Sequence, residues 1–305
     1  MSQVASSGRQ AEAARDAVLV VRSRARSAIV VTGKDRISWL NGLVTCDLAK
    51  RGPHEAAYGL LVEKKGRIQT DLVVVPSAAA VALAVPVDLR DALLETFDHY
   101  LIMEDAELTT PDLVFFFAHG PKAEALAGHA PFSGSLDLMG HGGLVLAVPA
   151  AEADALEARL AADVAARGGA MGDEATFAVL AIERGLPRFR EEFDTTHYPQ
   201  EAGIEKIAVS FQKGCYLGQE VVYMLENRGH AKKKLVPLDL DGDVAPEVGA
   251  AVTTATGESI GEIKSSALAP LTTKPVAIAM VKWAHAKPGT ELRVGDRAAT
   301  VRAFP

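Results

Sequence analysis

Ala82-Leu83-Ala84-Val85-Pro86 runs into Asp91-Ala92-Leu93-Leu94-Glu95, and Val145-Leu146-Ala147-Val148-Pro149 runs into Asp154-Ala155-Leu156-Glu157. The prolines that close the two apolar runs lie sixty-three residues apart. Each run reads as a buried strand feeding a helix, and the recurrence points to two copies of one sheet-plus-helix unit. The match is short and sits in alanine-rich sequence, so chance similarity stands beside duplication as a second reading.

Around the first copy, Ala28-Ile29-Val30-Val31 reads as a buried strand and residues 34–43 as a short helix with Asp35 near its start. Residues 58–63 and 67–75 are apolar runs joined by Lys64-Lys65-Gly66, a hairpin whose turn needs glycine. A third strand covers residues 80–85. Leu89, Ala92, Leu93, Phe97, Tyr100 and Leu101 then recur at helical spacing behind Asp88 as the expected cap. Between the copies, residues 113–118 form an aromatic strand and 121–127 a short helix. Residues 173–184 form a further helix, with Phe177, Leu180 and Ala181 on one face, stopped by Gly185 and Pro187. Residues 186–234 show no clear period, and long irregular stretches in compact proteins are usually functional. After that, residues 235–240, 250–254, 260–265, 276–283, 290–294 and 298–304 are short strands divided by Gly, Pro and Asp, which argues a small β-barrel or sandwich.

The chain of 305 residues has length for about two domains at roughly 150 residues each. Hydrophobic residues make up 49% and charged residues 23%, which argues against whole-chain disorder. A net charge of −7 supplies no global positive field for duplex nucleic acid, so an anionic partner must be gripped locally. Cys46 and Cys215 are the two cysteines; they form neither a disulfide framework nor a zinc module, and a reducing cytoplasm is the compartment this favours. Residues 1–16 read as a flexible leader without the apolar region of a secretory signal. The longest apolar stretch, residues 72–87, is interrupted by Pro76, Ser77 and Pro86 and is too short for a spanning helix, so no membrane partner is expected.

The densest chemistry lies in Phe211-Gln212-Lys213-Gly214-Cys215-Tyr216-Leu217-Gly218-Gln219-Glu220. A cysteine beside Lys213 and near a helix start has the setting for a reactive thiolate. A small buried cysteine in a glycine-shaped turn is the competing reading. The eight histidines include no H-x-x-x-H pair, so no metal site is expected, and two cysteines cannot furnish the four thiolates of an ordinary iron–sulfur cluster. Cys46 reads as a packing residue.

Residues 213–220 resemble the K-G-C-[FY]-x-G-Q-E signature of the folate-binding YgfZ family, relatives of the glycine cleavage T-protein. Gly33-Lys34-Asp35-Arg36-Ile37-Ser38-Trp39-Leu40-Asn41-Gly42-Leu43-Val44-Thr45, Glu183-Arg184-Gly185-Leu186-Pro187 and Pro199-Gln200-Glu201-Ala202-Gly203 resemble further shared segments, in the same order. The resemblance implies an α+β fold: a two-lobed folate-binding region, ferredoxin-like and duplicated if the repeat is real, followed by a small C-terminal β-barrel. The boundaries expected are 1–16 for the leader, 17–234 for the folate-binding region (lobes of about 17–110 and 111–185, with 186–234 carrying the signature), and 235–305 for the barrel.

Tetrahydrofolate or a derivative is the implied cofactor. Its aminopyrimidinone edge is rich in donors and suits a carboxylate, and its anionic tail suits Arg or Lys. By the resemblance Glu183 takes the edge, its alternative being a surface carboxylate near a helix C-terminus, where the macrodipole is slightly unfavourable. Arg228 matches an arginine after the signature and is assigned the tail; Lys232, Lys233 and Lys234 either add to that field or form a solvated strand entry. Cys215 is the candidate functional thiol, with Lys213 tuning it and Gly214, Tyr216, Gly218, Gln219 and Glu220 completing the signature. In the hairpin, Thr70 stands where the aminomethyltransferases resemble a catalytic aspartate, with Asp71 next to it, and a threonine cannot supply that charge. The function implied is tetrahydrofolate binding in support of iron–sulfur cluster assembly or repair, with client or assembly proteins as partners. Two alternatives stand: a folate-dependent methyl- or aminomethyltransferase using Asp71 or Glu201, and a non-catalytic interaction module.

Overall fold

The structure, a computed structural model, describes residues 2–229 and 231–303, with side chains from residue 8 onward. It contains two five-stranded sheets and a closed barrel. The first sheet is built from β2 (Arg26–Thr32), β3 (Ala57–Val62), β4 (Ile68–Pro76), β5 (Val81–Pro86) and β6 (Glu107–Thr109), in the order β3-β4-β5-β2-β6. The second is built from β1 (Leu19–Arg22), β7 (Leu113–His119), β8 (Phe132–Ser135), β9 (Gly143–Pro149) and β10 (Ala170–Gly172), in the order β10-β1-β7-β9-β8.

The repeat quoted above falls on β5 and β9, and it is structural. In the first sheet β6, β2, β5 and β4 are neighbours in that order, all antiparallel. In the second, β10, β7, β9 and β8 repeat the order with β1 inserted between β10 and β7. Helix α2 (Arg36–Asn41) follows β2 as a 3-10 turn over Ala123–Leu126 follows β7, and α3 (Arg90–His99) follows β5 as α4 (Ala150–Ala166) follows β9. Both lobes are therefore the ferredoxin-like unit, strand and helix twice over. Strand β1 departs from the expected division at residue 110, because it completes the second sheet rather than the first.

Alternation along each strand decides the layers. One face of the first sheet, with Leu72, Val74 and Leu83, packs on Trp39, Leu40, Leu93 and Phe97 of α2 and α3. The outer face of the second packs Phe116 and Leu146 on Leu156, Leu160 and Val164 of α4. The inner faces share one core in which Tyr58, Val73 and Ala84 meet Phe115, Val145 and Ala147. A cavity opens within this layer.

Helix α5 (Glu174–Arg184) closes one side of it. Asp173 caps α5 by accepting the Thr176 backbone N–H at 2.8 Å, a bond that stabilises such a helix by about 1 kcal/mol. Gly185 ends it at φ +82°, a conformation that side chains resist. The segment after α5, expected to be irregular, contains three short helices: α6 (Pro199–Ala202), α7 (Glu205–Ala208) and α8 (Gln219–Asn227). The barrel follows, with β11 (Lys233–Leu240), β12 (Ala251–Thr253), β13 (Ser259–Leu268), β14 (Pro275–Lys282), β15 (Glu291–Val294) and β16 (Arg297–Val301) in the order β11-β14-β13-β12-β15-β16.

Two local expectations are corrected. The expected flexible leader is helix α1 (Ser2–Asp16), whose Ala11 and Ala14 are buried against Leu180 and Leu186; small residues let this helix sit close to α5. Asp88 does not cap α3, since Leu89 holds the N-cap position without a side-chain bond and the Asp88 carboxylate pairs with Arg190. Among the described residues no helix is long and apolar enough to cross a membrane.

Candidate functional site

The cavity between the sheets measures about 290 Å³, near the lower end for small-molecule sites. Its polar feature comes from strand alternation in β4. Thr70 and Asp71 are adjacent, so they face opposite ways. Thr70 is fully buried and donates its hydroxyl to the Asp71 carbonyl at 2.9 Å, while Asp71 lines the cavity. The expectation that Thr70 occupies the reactive position and Asp71 only its neighbour is thus reversed: Asp71 is the residue presented to the cavity. Its carboxylate accepts both arms of Arg26, at 2.8 and 2.6 Å, and the Tyr58 hydroxyl at 3.2 Å. Burial works against the Arg26 charge, but Asp71 outweighs it and the guanidinium pKa is raised. Burial, reinforced by Asp71, pushes the Tyr58 phenol well above its ordinary range.

Glu183 lies elsewhere, in the last turn of α5. It lines a cleft of about 270 Å³ together with Ala14 and Arg15 of α1, Met139, Leu180, Leu271 and Arg302. A second hollow of about 540 Å³ along the barrel shares Glu183 and Arg302 with it. The Glu183 carboxylate has no hydrogen bond or ion pair among the described residues. Burial raises its pKa, opposed by the charges of Arg302 and Arg15. An acceptor left unspent and half-buried in a partly apolar cleft suits a flat ligand with a donor-rich edge.

The signature residues build a third feature. Lys213 is buried and its Nζ donates to the carbonyls of Val44 at 2.8 Å and Cys46 at 2.7 Å, over the Tyr216 ring at 5.3 Å. Burial lowers its pKa to about 8. It therefore serves as an anchor inside the first lobe and is not the tuning charge for Cys215 that sequence suggested. Leu217 donates its N–H to Gly42 O at 3.0 Å. Gly218, at φ +77°, lies so close to the end of β3 that an added Cβ would collide with Glu63 O. Tyr216 is buried, and its unpartnered hydroxyl is raised in pKa by that burial. Between these fixed points Gly214 meets open space and Cys215 is exposed, which removes the reading of a buried packing cysteine. Gln219 and Glu220 form the first turn of α8. Cys46 is the packing thiol: it fills the space that Gly59 leaves, and burial pushes its pKa to about 11.

Other expected residues fall outside these features. Arg228 is exposed beyond the end of α8 and lines neither the cavity nor the cleft. Lys234 is bound to Glu205 at 2.6 Å and Lys233 lies 3.4 Å from His197, while Lys232 is exposed, so the three do not converge as one anion field. Glu201 is spent on the start of α6, where its carboxylate accepts the Tyr198 N–H at 3.2 Å. The residues missed from sequence are Arg26, Tyr58, Arg15 and Arg302. Arg26, the last of the alternating Arg22, Arg24 and Arg26 that lead into the apolar run of β2, was a readable signal; nothing local marked Arg302. Among the described residues no group of three or more His, Cys, Asp or Glu is placed to hold a metal ion.

Known proteins resemble this chain over most of its length. Residues 233–304 match the family described as the glycine cleavage T-protein C-terminal barrel domain. An aminomethyltransferase of Streptomyces avermitilis is 27% identical over 312 residues, spanning 90% of this chain and 83% of that protein. The tRNA-modifying protein YgfZ of Aliivibrio fischeri is 24% identical over 241 residues, spanning 76% and 74%. The crystal structure of the glycine cleavage system aminomethyltransferase T from Bartonella henselae superposes with a TM-score of 0.82 at 20% identity, covering 98% of this chain and 89% of that one. That likeness concerns the fold.

Proposed function

The chain belongs to the YgfZ family within the glycine cleavage T-protein superfamily, and from that premise we propose that it binds tetrahydrofolate or a derivative and supports iron–sulfur cluster assembly or repair in client enzymes. The observation that carries the binding claim is Glu183, a half-buried carboxylate without a partner among the described residues, in a cleft whose Met139, Leu180 and Leu271 offer an apolar bed for a ring. Glu183 would accept from the aminopyrimidinone edge, and Arg184 replaces Arg228 as the cation available for the anionic tail, since Arg15 is paired with Asp16 at 2.6 Å. Bound tetrahydrofolate would supply a one-carbon carrier. Cys215, held out on a rigidly anchored loop, is the thiol available for a redox or one-carbon step, and a reducing cytoplasm suits it.

Glycine-cleavage aminomethyl transfer is the less supported reading. The carboxylate that faces the central cavity is Asp71, and Arg26 and Tyr58 already take three of its roughly four acceptor sites. A carboxylate so engaged serves to hold the cavity wall together. The test combines tetrahydrofolate titration of the purified protein with cluster-enzyme activity in cells that lack it. Cys215→Ala is expected to fold normally and to abolish the cellular role; full complementation by that variant contradicts the proposed thiol.

A further inference from the structure

Glu183 and Arg302 face the same space from different domains. Glu183 ends α5, Arg302 follows β16 of the barrel, and both line the 270 Å³ cleft and the adjoining 540 Å³ hollow. No ion pair joins them within 4.0 Å, although each feels the other's charge. Arg302 is not fully spent elsewhere. Its Nε is 3.0 Å from Asp239 Oδ1 but out of line for a hydrogen bond, and its Nη2 reaches Ile182 O at 3.4 Å, near the limit of a hydrogen bond. Nearby, the buried Nε of Arg184 also lacks a partner. The cleft is thus lined both by a carboxylate whose acceptors are unspent and by guanidinium groups with unpartnered donors.

A ligand edge that satisfies both must offer donors to the carboxylate and an acceptor to the guanidinium. The 2-amino-4-oxopyrimidine edge does this with its amino group, its ring N–H and its carbonyl oxygen. A 2,4-diamino edge replaces the carbonyl with a second donor, which would meet the guanidinium donor to donor and leave it unpaired. We infer that Glu183 and Arg302 act as a pair that selects 2-amino-4-oxo rings over 4-amino analogues, with Arg302 as the specificity-determining residue. This rests on the folate reading of the same cleft. It also means that an occupied cleft ties α5 to the barrel through the ligand.

Folic acid and aminopterin differ at this position, oxo in one and amino in the other, and calorimetric titration of the full-length protein with each provides the test. The wild type is expected to favour folic acid by roughly ten- to a hundredfold, the range for one hydrogen bond to a charged group. In Arg302→Leu the ratio is expected to fall toward one while aminopterin binding persists; a general loss of structure would weaken both ligands together. If Arg302→Leu does not fold, Arg302→Gln, which keeps one donor group, is expected to show an intermediate ratio. Equal wild-type affinities, or a ratio unmoved by either variant, overturn the inference and leave the folate reading standing. Failure of both ligands to bind the wild type overturns the folate reading itself.

Discussion

Lys213 Nζ lies 2.7 Å from the carbonyl oxygen of Cys46, a residue 167 positions away, and so spans the two thiol-bearing segments of the chain without touching either thiol. Its work is to fasten the signature loop to the first lobe. Lys213→Met removes both of its bonds and strands two buried carbonyls, a loss of about 2 kcal/mol or more. Alkylation of Cys215 by iodoacetamide at neutral pH is expected to run at the wild-type rate in this variant while urea unfolding shifts to lower concentration. A markedly slower alkylation would return Lys213 to the role of thiol activator.

The buried amine also gives a pH signature. Burial lowers Lys213 from 10.5 to about 8, so above pH 8 the folded protein releases a proton that the unfolded chain still holds. Stability from this group therefore rises with pH across that range. Cys46, raised from 9.0 to about 11, works in the opposite direction above pH 9, which leaves the interval between pH 8 and 9 for the measurement. The stability of the wild type relative to Lys213→Met is expected to increase across it. The neutral amine keeps two N–H donors, so the loop stays fastened. A flat or falling difference contradicts the assignment.

His119 is fully enclosed on the second sheet, stacked on Phe177 at 5.2 Å, with neither ring nitrogen hydrogen-bonded among the described residues. Burial pushes its pKa down to about 4 from 6.5, against a smaller opposing effect of Asp137. The unfolded chain then binds a proton that the folded state refuses, so stability present above pH 6.5 is lost as pH falls toward 4. The full effect is about 3 kcal/mol. His119→Phe keeps the ring stack and is expected to flatten this acid limb in chemical unfolding; an unchanged limb would assign acid lability to other groups.

Arg26 and Asp71 form a bidentate pair in the cavity wall, with the Asp71 side chain 4% exposed. Breaking a buried pair by removing one charge costs about 3–5 kcal/mol because the other is left uncompensated. Asp71→Asn is expected to lose stability on that scale, and Arg26→Met with Asp71→Leu together to recover most of it. Neither wild type nor variants should form methylene-tetrahydrofolate from an aminomethylated lipoyl carrier. Measurable product from the wild type would mean that Asp71 is less engaged than its geometry indicates.

Much of this architecture could be read from sequence because it rests on local alternation. The six barrel strands, the glycine-turned hairpin at Gly66 and the α5 boundaries between Asp173 and Gly185 are set by residues within a few positions of each other. The duplication was readable as a bare pentapeptide repeat, and only the shared strand order converts it into a structural fact. What escaped depends on long-range placement. The sequence neighbour of Lys213 is Cys215, yet its spatial partners are Val44 and Cys46; Thr70 and Asp71 differ by one position and by an entire sheet face. Arg302, at the far end of the chain, meets Glu183 only through the docking of the barrel on α5.

The central claim is that Glu183 holds a reduced folate. Calorimetric titration of 5-formyltetrahydrofolate into the wild type and Glu183→Gln tests it most directly. Replacing the carboxylate by an amide keeps the shape but turns one acceptor into a donor, so binding is expected in the wild type and to be weaker by roughly ten- to a hundredfold in the variant. Equal affinity in the two proteins would contradict the assignment.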